Sequence, residues 1–175
     1  MINLGEINLH FKNRICSLIS IILGLATYAT FTNSAQALTC VDYSITPVRF
    51  GAYDSSSGSN LTTSGGVTIN KFYDCLTSQL VSTNFTVKLS PGASGTYSNR
   101  KMTNLLNPLS PLQYNLYTSG GSGAAIWGDG SGGSSFVNQT GSRNINLPIY
   151  GVVPSRQNPS IGSYSDTVTM TIEFN

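Results

Sequence analysis

Charge is scarce in this chain: Asp, Glu, Lys and Arg make up 9% of its 175 residues, and the formal net charge at pH 7 is +2. So weak a field indicates neither nucleic acid nor an acidic membrane surface as a partner. Histidine occurs once, at position 10, and cysteine three times, at positions 16, 40 and 75. His10 lies in an amino-terminal segment with the features of a leader, so residues 38–175 lack the base for Ser-His or Cys-His nucleophilic catalysis. Two thiolates without a histidine cannot complete a zinc shell, and no metal or other cofactor is expected. Helical periodicity is also missing after residue 37. In its place stand short alternating runs separated by Gly, Ser, Asn and Pro, the pattern of an all-β sandwich or barrel.

The amino terminus is organised differently. Lys12 and Arg14 precede an apolar run over residues 15–31, followed by "NSAQA", in which Ala35 and Ala37 flank Gln36 as small residues flank a signal-peptidase site. We read residues 1–37 as a secretory signal. The run contains Ser, Gly, Thr and Tyr and is short for a span of about 20 apolar residues, so a stable membrane anchor is the weaker reading. A lipoprotein reading would place a lipid on Cys40, but "ALTC" does not fit a lipobox. Residues 38–175 then form one domain with seven basic against six acidic side chains, a net of +1. Its solubility rests on Ser, Thr, Asn and Gly, as in extracellular β-proteins.

Cys16 is discarded with the leader. Cys40 and Cys75 remain, an even number in an oxidising compartment, and are expected to form a disulfide. The loop it closes holds 36 residues, worth about 4 kcal/mol in the chain-entropy account.

Six alternating runs stand out. They are Val41, Tyr43 and Ile45; Val67 and Ile69; Phe85, Val87 and Leu89; Leu112, Tyr114 and Leu116; Ile145, Leu147 and Ile149; and a closing run over residues 167–174. That last run sets Val168, Met170, Ile172 and Phe174 on one face and Thr167, Thr169, Thr171 and Glu173 on the other. A weaker strand candidate lies at residues 125–127. Seven strands are usual for a sandwich of this size.

Candidate chemistry is thin. Asp129 and Asp166 sit in or beside glycine-containing turn sequences, where an Asp more often bonds nearby backbone than does acid-base work. "WGDGSGG" (127–133) carries too few carboxylates for calcium and reads as a turn beside a packed Trp127. Three sequons, at Asn60, Asn84 and Asn138, matter only in a eukaryotic secretory pathway. Tyr97, Tyr114, Tyr117, Trp127, Tyr150 and Tyr164 are candidates for a sugar-binding face, although aromatics on strands mostly fill cores.

Six blocks in order, "CVDYSITPVRFGAYD" (40–54), "FTVKLSPGASGTYSNRKM" (85–102), "LQYNLYTS" (112–119), "WGDG" (127–130), "YGVVPSRQ" (150–157) and "GSYSDTVTMTIEF" (162–174), together resemble the spore coat protein U domain. That domain is shared with subunits of the archaic, Csu-type chaperone-usher pili of Gram-negative bacteria. The resemblance implies an immunoglobulin-like β-sandwich that lacks its final strand and is completed by a donated one. A periplasmic chaperone lends that strand, and at the outer-membrane usher the next subunit's extension replaces it. Such β-augmentation pairs backbones generically while alternate side chains fill pockets and an exposed edge is covered.

Carried over residue by residue, Val168, Met170, Ile172 and Phe174 face the groove, the Asn175 carboxylate meets basic chaperone residues, and Cys40 and Cys75 form the family's disulfide. There are three departures. "INKFYDC" places extra residues before Cys75, Val152 stands where an arginine is common, and only Leu38 and Thr39 separate the predicted cleavage site from Cys40. Two residues cannot donate a strand of about five.

The expectation is therefore an exported, non-enzymatic pilus or surface-fibre subunit at a tip or minor position, which receives a strand but does not pass one on. Cleavage upstream of Ala37 would restore a donor segment from "LATYATFT" (25–32). The alternatives are a self-complete secreted coat or glycan-binding module that does not polymerise and, third, an extracellular hydrolase, which the missing histidine disfavours.

Overall fold

The computed structural model describes residues 2–14, 39–121 and 123–174, the first of these through its backbone. Its strands are β1 (Ile2–Arg14), β2 (Thr39–Thr46), β3 (Val48–Tyr53), β4 (Leu61–Asp74), β5 (Thr83–Leu89), β6 (Arg100–Asn104), β7 (Leu112–Tyr117), β8 (Val137–Gly141), β9 (Arg143–Val153) and β10 (Ser163–Phe174). Helix is confined, among the described residues, to a single 3-10 turn at Gly92–Ser94.

Hydrogen bonding runs in the order β2-β4-β9-β7-β6-β10-β1-β3, with β5 branching from β10 and β8 from β5. One layer holds β2, β4, β9 and β7, and the other holds β8, β5, β10, β1 and β3. The short β6 pairs with both β7 and β10 and joins the layers at one side. This is the expected immunoglobulin-like sandwich. The apolar faces of both layers meet in one core: Phe72 of β4 packs edge-on against Phe85 of β5 at 4.9 Å and Phe174 of β10 at 5.6 Å, and Phe50 of β3 against Tyr114 of β7 at 6.1 Å. Trp127 is buried and donates from Nε1 to the Val87 carbonyl at 3.1 Å.

Chain continuity between layers is provided at Pro47, where the strand begun as β2 changes sheet and continues as β3. Proline has no N–H to place in either ladder, so it suits the switch. Gly65 makes the crossing possible: a Cβ there would lie 2.6 Å from the Thr46 carbonyl oxygen and 2.9 Å from that of Pro47. Cys40 and Cys75 are disulfide-bonded with Cα atoms 5.3 Å apart, as expected, and clamp the start of β2 to the end of β4.

Three details differ from the sequence reading. Tyr43 does not continue the inward alternation of Val41 and Ile45, because the β2–β4 register shifts between Asp42 and Tyr43 and turns its ring outward. The weak candidate at residues 125–127 forms only isolated bridges, Tyr117 to Ile126 and Trp127 to Ser135. Asp166 is not in a turn; it occupies an inward position in the middle of β10.

Candidate functional site

The closing run forms β10 with the alternation its residues dictate: Tyr164, Asp166, Val168, Met170 and Ile172 are buried, while Ser163, Ser165 and Thr167 are exposed. Phe174 is half-buried against Phe72. The four apolar side chains assigned to the groove therefore share one face of one strand, within the core cluster or packed on it. Asn175 lies outside the described residues, as do Cys16 and most of the predicted leader.

The two edges of β10 are treated differently. On one side its first residues pair with β6, Tyr164 opposite Asn104, and its last with β5, from Met170–Leu89 to Phe174–Phe85. Between these ladders the strand is bracketed by polar groups. Ser90 donates its N–H to the Thr169 carbonyl at 2.8 Å and accepts the Thr169 N–H on Oγ at 2.9 Å. Asp166 accepts from the Tyr114 hydroxyl at 2.6 Å, the Ala93 N–H at 3.0 Å and the Thr167 N–H at 2.7 Å. Gly92, in the left-handed region at φ 71°, leaves the space that this carboxylate fills. Tyr114 is pushed well above the usual phenol range by burial first, then by the neighbouring Asp166 charge and hydrogen bond.

Arg100, which the sequence reading passed over, secures Ser90 from behind. Its fully buried guanidinium donates to the Ser90 carbonyl through Nη2 at 2.8 Å, to the Trp127 carbonyl at 2.7 Å and to Asn115 Oδ1 at 2.8 Å, with the Tyr97 ring 5.3 Å away. Burial draws its affinity for the proton down, while Tyr114, Tyr97 and Asp166 oppose that effect. Fork geometry fits arginine, not lysine, to this set of acceptors.

On its other side, β10 meets β1. The pairing is parallel, from Asn3–Ser163 to Arg14–Glu173, with a shift between Leu4 and Ile7. The opposite edge of β1 pairs antiparallel with β3, from Ile2–Tyr53 to Ile7–Val48. β1 is thus the shared partner of β3 and β10, and without it these two strands are not neighbours in the sheet. The segment is part of the predicted leader, from which the sequence reading expected no contribution to the fold. Its sequence "INLHFKN" alternates Ile7, Leu9 and Phe11 with Asn8, His10 and Lys12, and the register sets Leu9 opposite Val168 and Phe11 opposite Met170.

Other candidate residues fall elsewhere. Asp129 stays at the surface and closes its own turn, accepting the Ser131 N–H at 2.8 Å and hydroxyl at 2.6 Å, which holds its carboxyl below the usual range. Tyr97, hydrogen-bonded to Asp129, is raised to about 12, burial being the larger cause. No group of three or more His, Cys, Asp or Glu among the described residues is placed to hold a metal ion. Tyr114, Trp127 and Tyr164 are core residues; Tyr117 and Tyr150 line a cavity on the outer face of β4, β9 and β7.

The family model described as the Spore Coat Protein U domain matches residues 26–171. The chain belongs to the spore coat protein U domain family. The match covers every described strand except β1 and the last residues of β10, so the family domain accounts for β3 and β10 but not for the strand between them. No curated protein matches the chain. A solved structure described as a chaperone–tip adhesin complex vital for synergistic activation of CFA/I fimbriae biogenesis is similar at 14% identity and a TM-score of 0.41, the alignment covering 83% of this chain and 40% of that one. This spore coat protein U domain thus spans about two fifths of that protein's length. No helix among the described residues is long and apolar enough to cross a membrane.

Proposed function

We propose that the chain is an exported, non-enzymatic structural or adhesive subunit of a bacterial surface pilus, assembled by strand donation along the chaperone-usher route. The observation that carries this reading is the position of β1. Ile2–Arg14 belongs to the predicted leader, yet it is the partner shared by β3 and β10. Removing residues 1–37 leaves facing edges of both strands unpaired. Val168, Met170, Ile172 and Phe174 lie on the core face of the strand whose edge is bared. A bared edge of that length beside apolar side chains needs a partner, and a strand from another chain restores the ladder. Periplasmic chaperone, usher and neighbouring subunits are the partners this implies. The polar bracket on the far side of β10 supports the same reading, since it holds the accepting strand in place while its partner is exchanged.

We further propose a terminal or minor position: were cleavage to fall after Ala37, Thr39, already paired with Asp74 in the β2–β4 ladder, would leave no segment free to donate. One observation favours a second reading, that of a shaft subunit: the family match begins at residue 26, inside the predicted leader. Cleavage upstream of that point leaves "LATYATFT" (25–32) as a donor.

The test is to express the full precursor in the periplasm with and without the cognate chaperone, determine the mature amino terminus by mass, and titrate the mature domain with strand peptides. A complementing peptide at 100 times its Kd should stabilise the domain by about 2.7 kcal/mol. A mature domain that is a soluble, cooperatively folding monomer, and whose melting temperature no strand peptide raises, overturns the proposal.

A further inference from the structure

The outer face of the sheet carries a second feature, independent of the β3–β10 edge. Ser64 of β4, Tyr150 of β9 and Tyr117 of β7 lie opposite one another in a row across three strands, with Thr62 and Val152 forming the next row. After β7 the chain turns back through a glycine-rich loop that is closed by the Thr118 N–H to the Ala125 carbonyl at 3.1 Å. This loop stands over the row and borders an open-sided cavity of about 730 Å³, within the usual range for small-molecule sites. Gly120 rests on the Tyr150 ring: a Cβ at that position would come within 2.8 Å of it.

The chemistry of the lining is selective. Among the described residues it contains no Asp, Glu, Lys, Arg or His; it is built of Tyr, Ser, Thr, Asn, Gly, Ala and Val. Tyr117 and Tyr150 are half-buried, presenting ring surface as well as a hydroxyl. Among the described residues, neither those two hydroxyls nor those of Thr62, Ser64 and Ser119 take part in a protein hydrogen bond, whereas Asn60 and Thr63 are engaged by Ser155 and Arg49. A charged ligand would find no counter-charge there, and a purely apolar one would strip water from hydroxyls without replacing its bonds. An uncharged carbohydrate meets both demands: its C–H faces stack on tyrosine rings, and its hydroxyls exchange hydrogen bonds with neutral donors and acceptors.

We propose that this cavity is a binding site for a neutral oligosaccharide, seated on Tyr150 and Tyr117 under the 118–125 loop. Sites repeated along a fibre would act together, so a weak individual affinity suffices.

The test uses the exported protein in its strand-complemented form. Titration calorimetry and saturation-transfer NMR would be run against uncharged hexose and N-acetylhexosamine trisaccharides, a sialylated trisaccharide of similar size and an uncharged tripeptide. At least one uncharged sugar should bind, with saturation transfer from tyrosine ring protons. Tyr150→Ala and Tyr117→Ala should each weaken it roughly tenfold or more, about the loss of one aromatic contact, while Tyr150→Phe stays within about threefold. Gly120→Val, which fills the space against Tyr150, should abolish binding. Unchanged melting of each variant shows that the loss is local; a variant that melts lower is titrated below the onset of its unfolding, where the domain is still folded. No uncharged sugar binding at millimolar concentration, equal or tighter binding of the sialylated sugar or the tripeptide, or affinity indifferent to both tyrosines each overturns the proposal. Strand acceptance is read from peptide titration, so failure of one proposal leaves the other standing.

Discussion

Replacing Arg100 with methionine tests whether the bracket behind β10 is held by a buried cation. Methionine fills much of the same volume without a donor. The substitution leaves the Ser90 and Trp127 carbonyls without the guanidinium, and Asn115 Oδ1 retains only the Leu116 N–H at 2.9 Å. A buried acceptor stripped of its donor costs about 1–3 kcal/mol, and bonds to charged groups lie at the upper end. Two carbonyls therefore set a gross loss of about 2–6 kcal/mol, offset in part because a guanidinium no longer has to be desolvated. The expected net destabilisation is about 1–4 kcal/mol, a sizeable share of the 5–15 kcal/mol typical of a domain. At this chain length it should appear as a fall in Tm of roughly 2–16 °C. Urea unfolding of the strand-complemented protein measures it. Arg100→Lys should fall between wild type and Arg100→Met, because an ammonium cannot span the three acceptors in one plane. A loss below about 1 kcal/mol for Arg100→Met would refute the reasoning and make Arg100 a tolerated buried charge rather than the support of Ser90.

Gly65→Val should block the β2–β3 crossing, because the nearest obstacles are backbone atoms that cannot rotate away; little folded protein is expected on periplasmic expression, whereas Gly121→Val, with open space around it, should express normally. Cys40→Ser should cost about 2–4 kcal/mol by urea unfolding, with the same loss for Cys75→Ser and no further loss in the double variant. Asp74 accepts the Thr77 N–H at 2.8 Å and the Leu76 N–H at 2.9 Å, bonds that lower its pKa from 3.8. A depressed carboxylate pKa contributes stability present above the unfolded value and lost as pH falls through the folded one, so Asp74→Asn should flatten the unfolding midpoint against pH below about 4 and leave its shape near neutrality unchanged.

Legibility in the sequence followed the side chains that face the core. The six runs with apolar residues at alternate positions became β2, β4, β5, β7, β9 and β10, because binary alternation is the pattern that a half-buried strand imposes. Apart from β1, which alternates but was assigned to the leader, the strands that went unread have inward positions filled otherwise. β6 presents Arg100 and Asn104 to the interior with only Met102 between them, and both polar residues tolerate burial because each finds several hydrogen-bond partners there. β3 loses its alternation at Gly51, whose positive φ inserts a second outward residue before Tyr53. β8 is a polar strand at the sheet margin, with Val137 its one apolar contact to the core. Val168, Met170, Ile172 and Phe174, the residues proposed to face a groove, were legible as one face of β10 for the same reason as the strand itself. Asp166 was misplaced because local sequence shows its neighbours Ser165 and Gly162 but not the distant Gly92, whose missing side chain makes room for it.

The unequal edges of β10 lead to a last prediction. In a strand, successive N–H groups point to opposite neighbours, so one alternate set of β10 amides bonds toward β5 and β6 and the other toward β1. The first set is backed by Ser90, Asp166 and, through Ser90, by Arg100; the second has only β1, whose place the proposal gives to a donated strand. Hydrogen exchange followed by NMR on the mature domain, with and without a complementing peptide, separates the two. Peptide removal should speed exchange of the outer set by about a hundredfold or more, equivalent to losing roughly 2.8 kcal/mol of local protection, and change the inner set by less than tenfold. Arg100→Met should then extend the loss to the inner set. If both sets deprotect together in the wild-type domain, β10 is ordered by the donated strand and not before it. Acceptance would then be coupled folding, in which ordering β10 draws on the same free energy that binds the partner, and the polar bracket would be a consequence of complementation instead of its precondition.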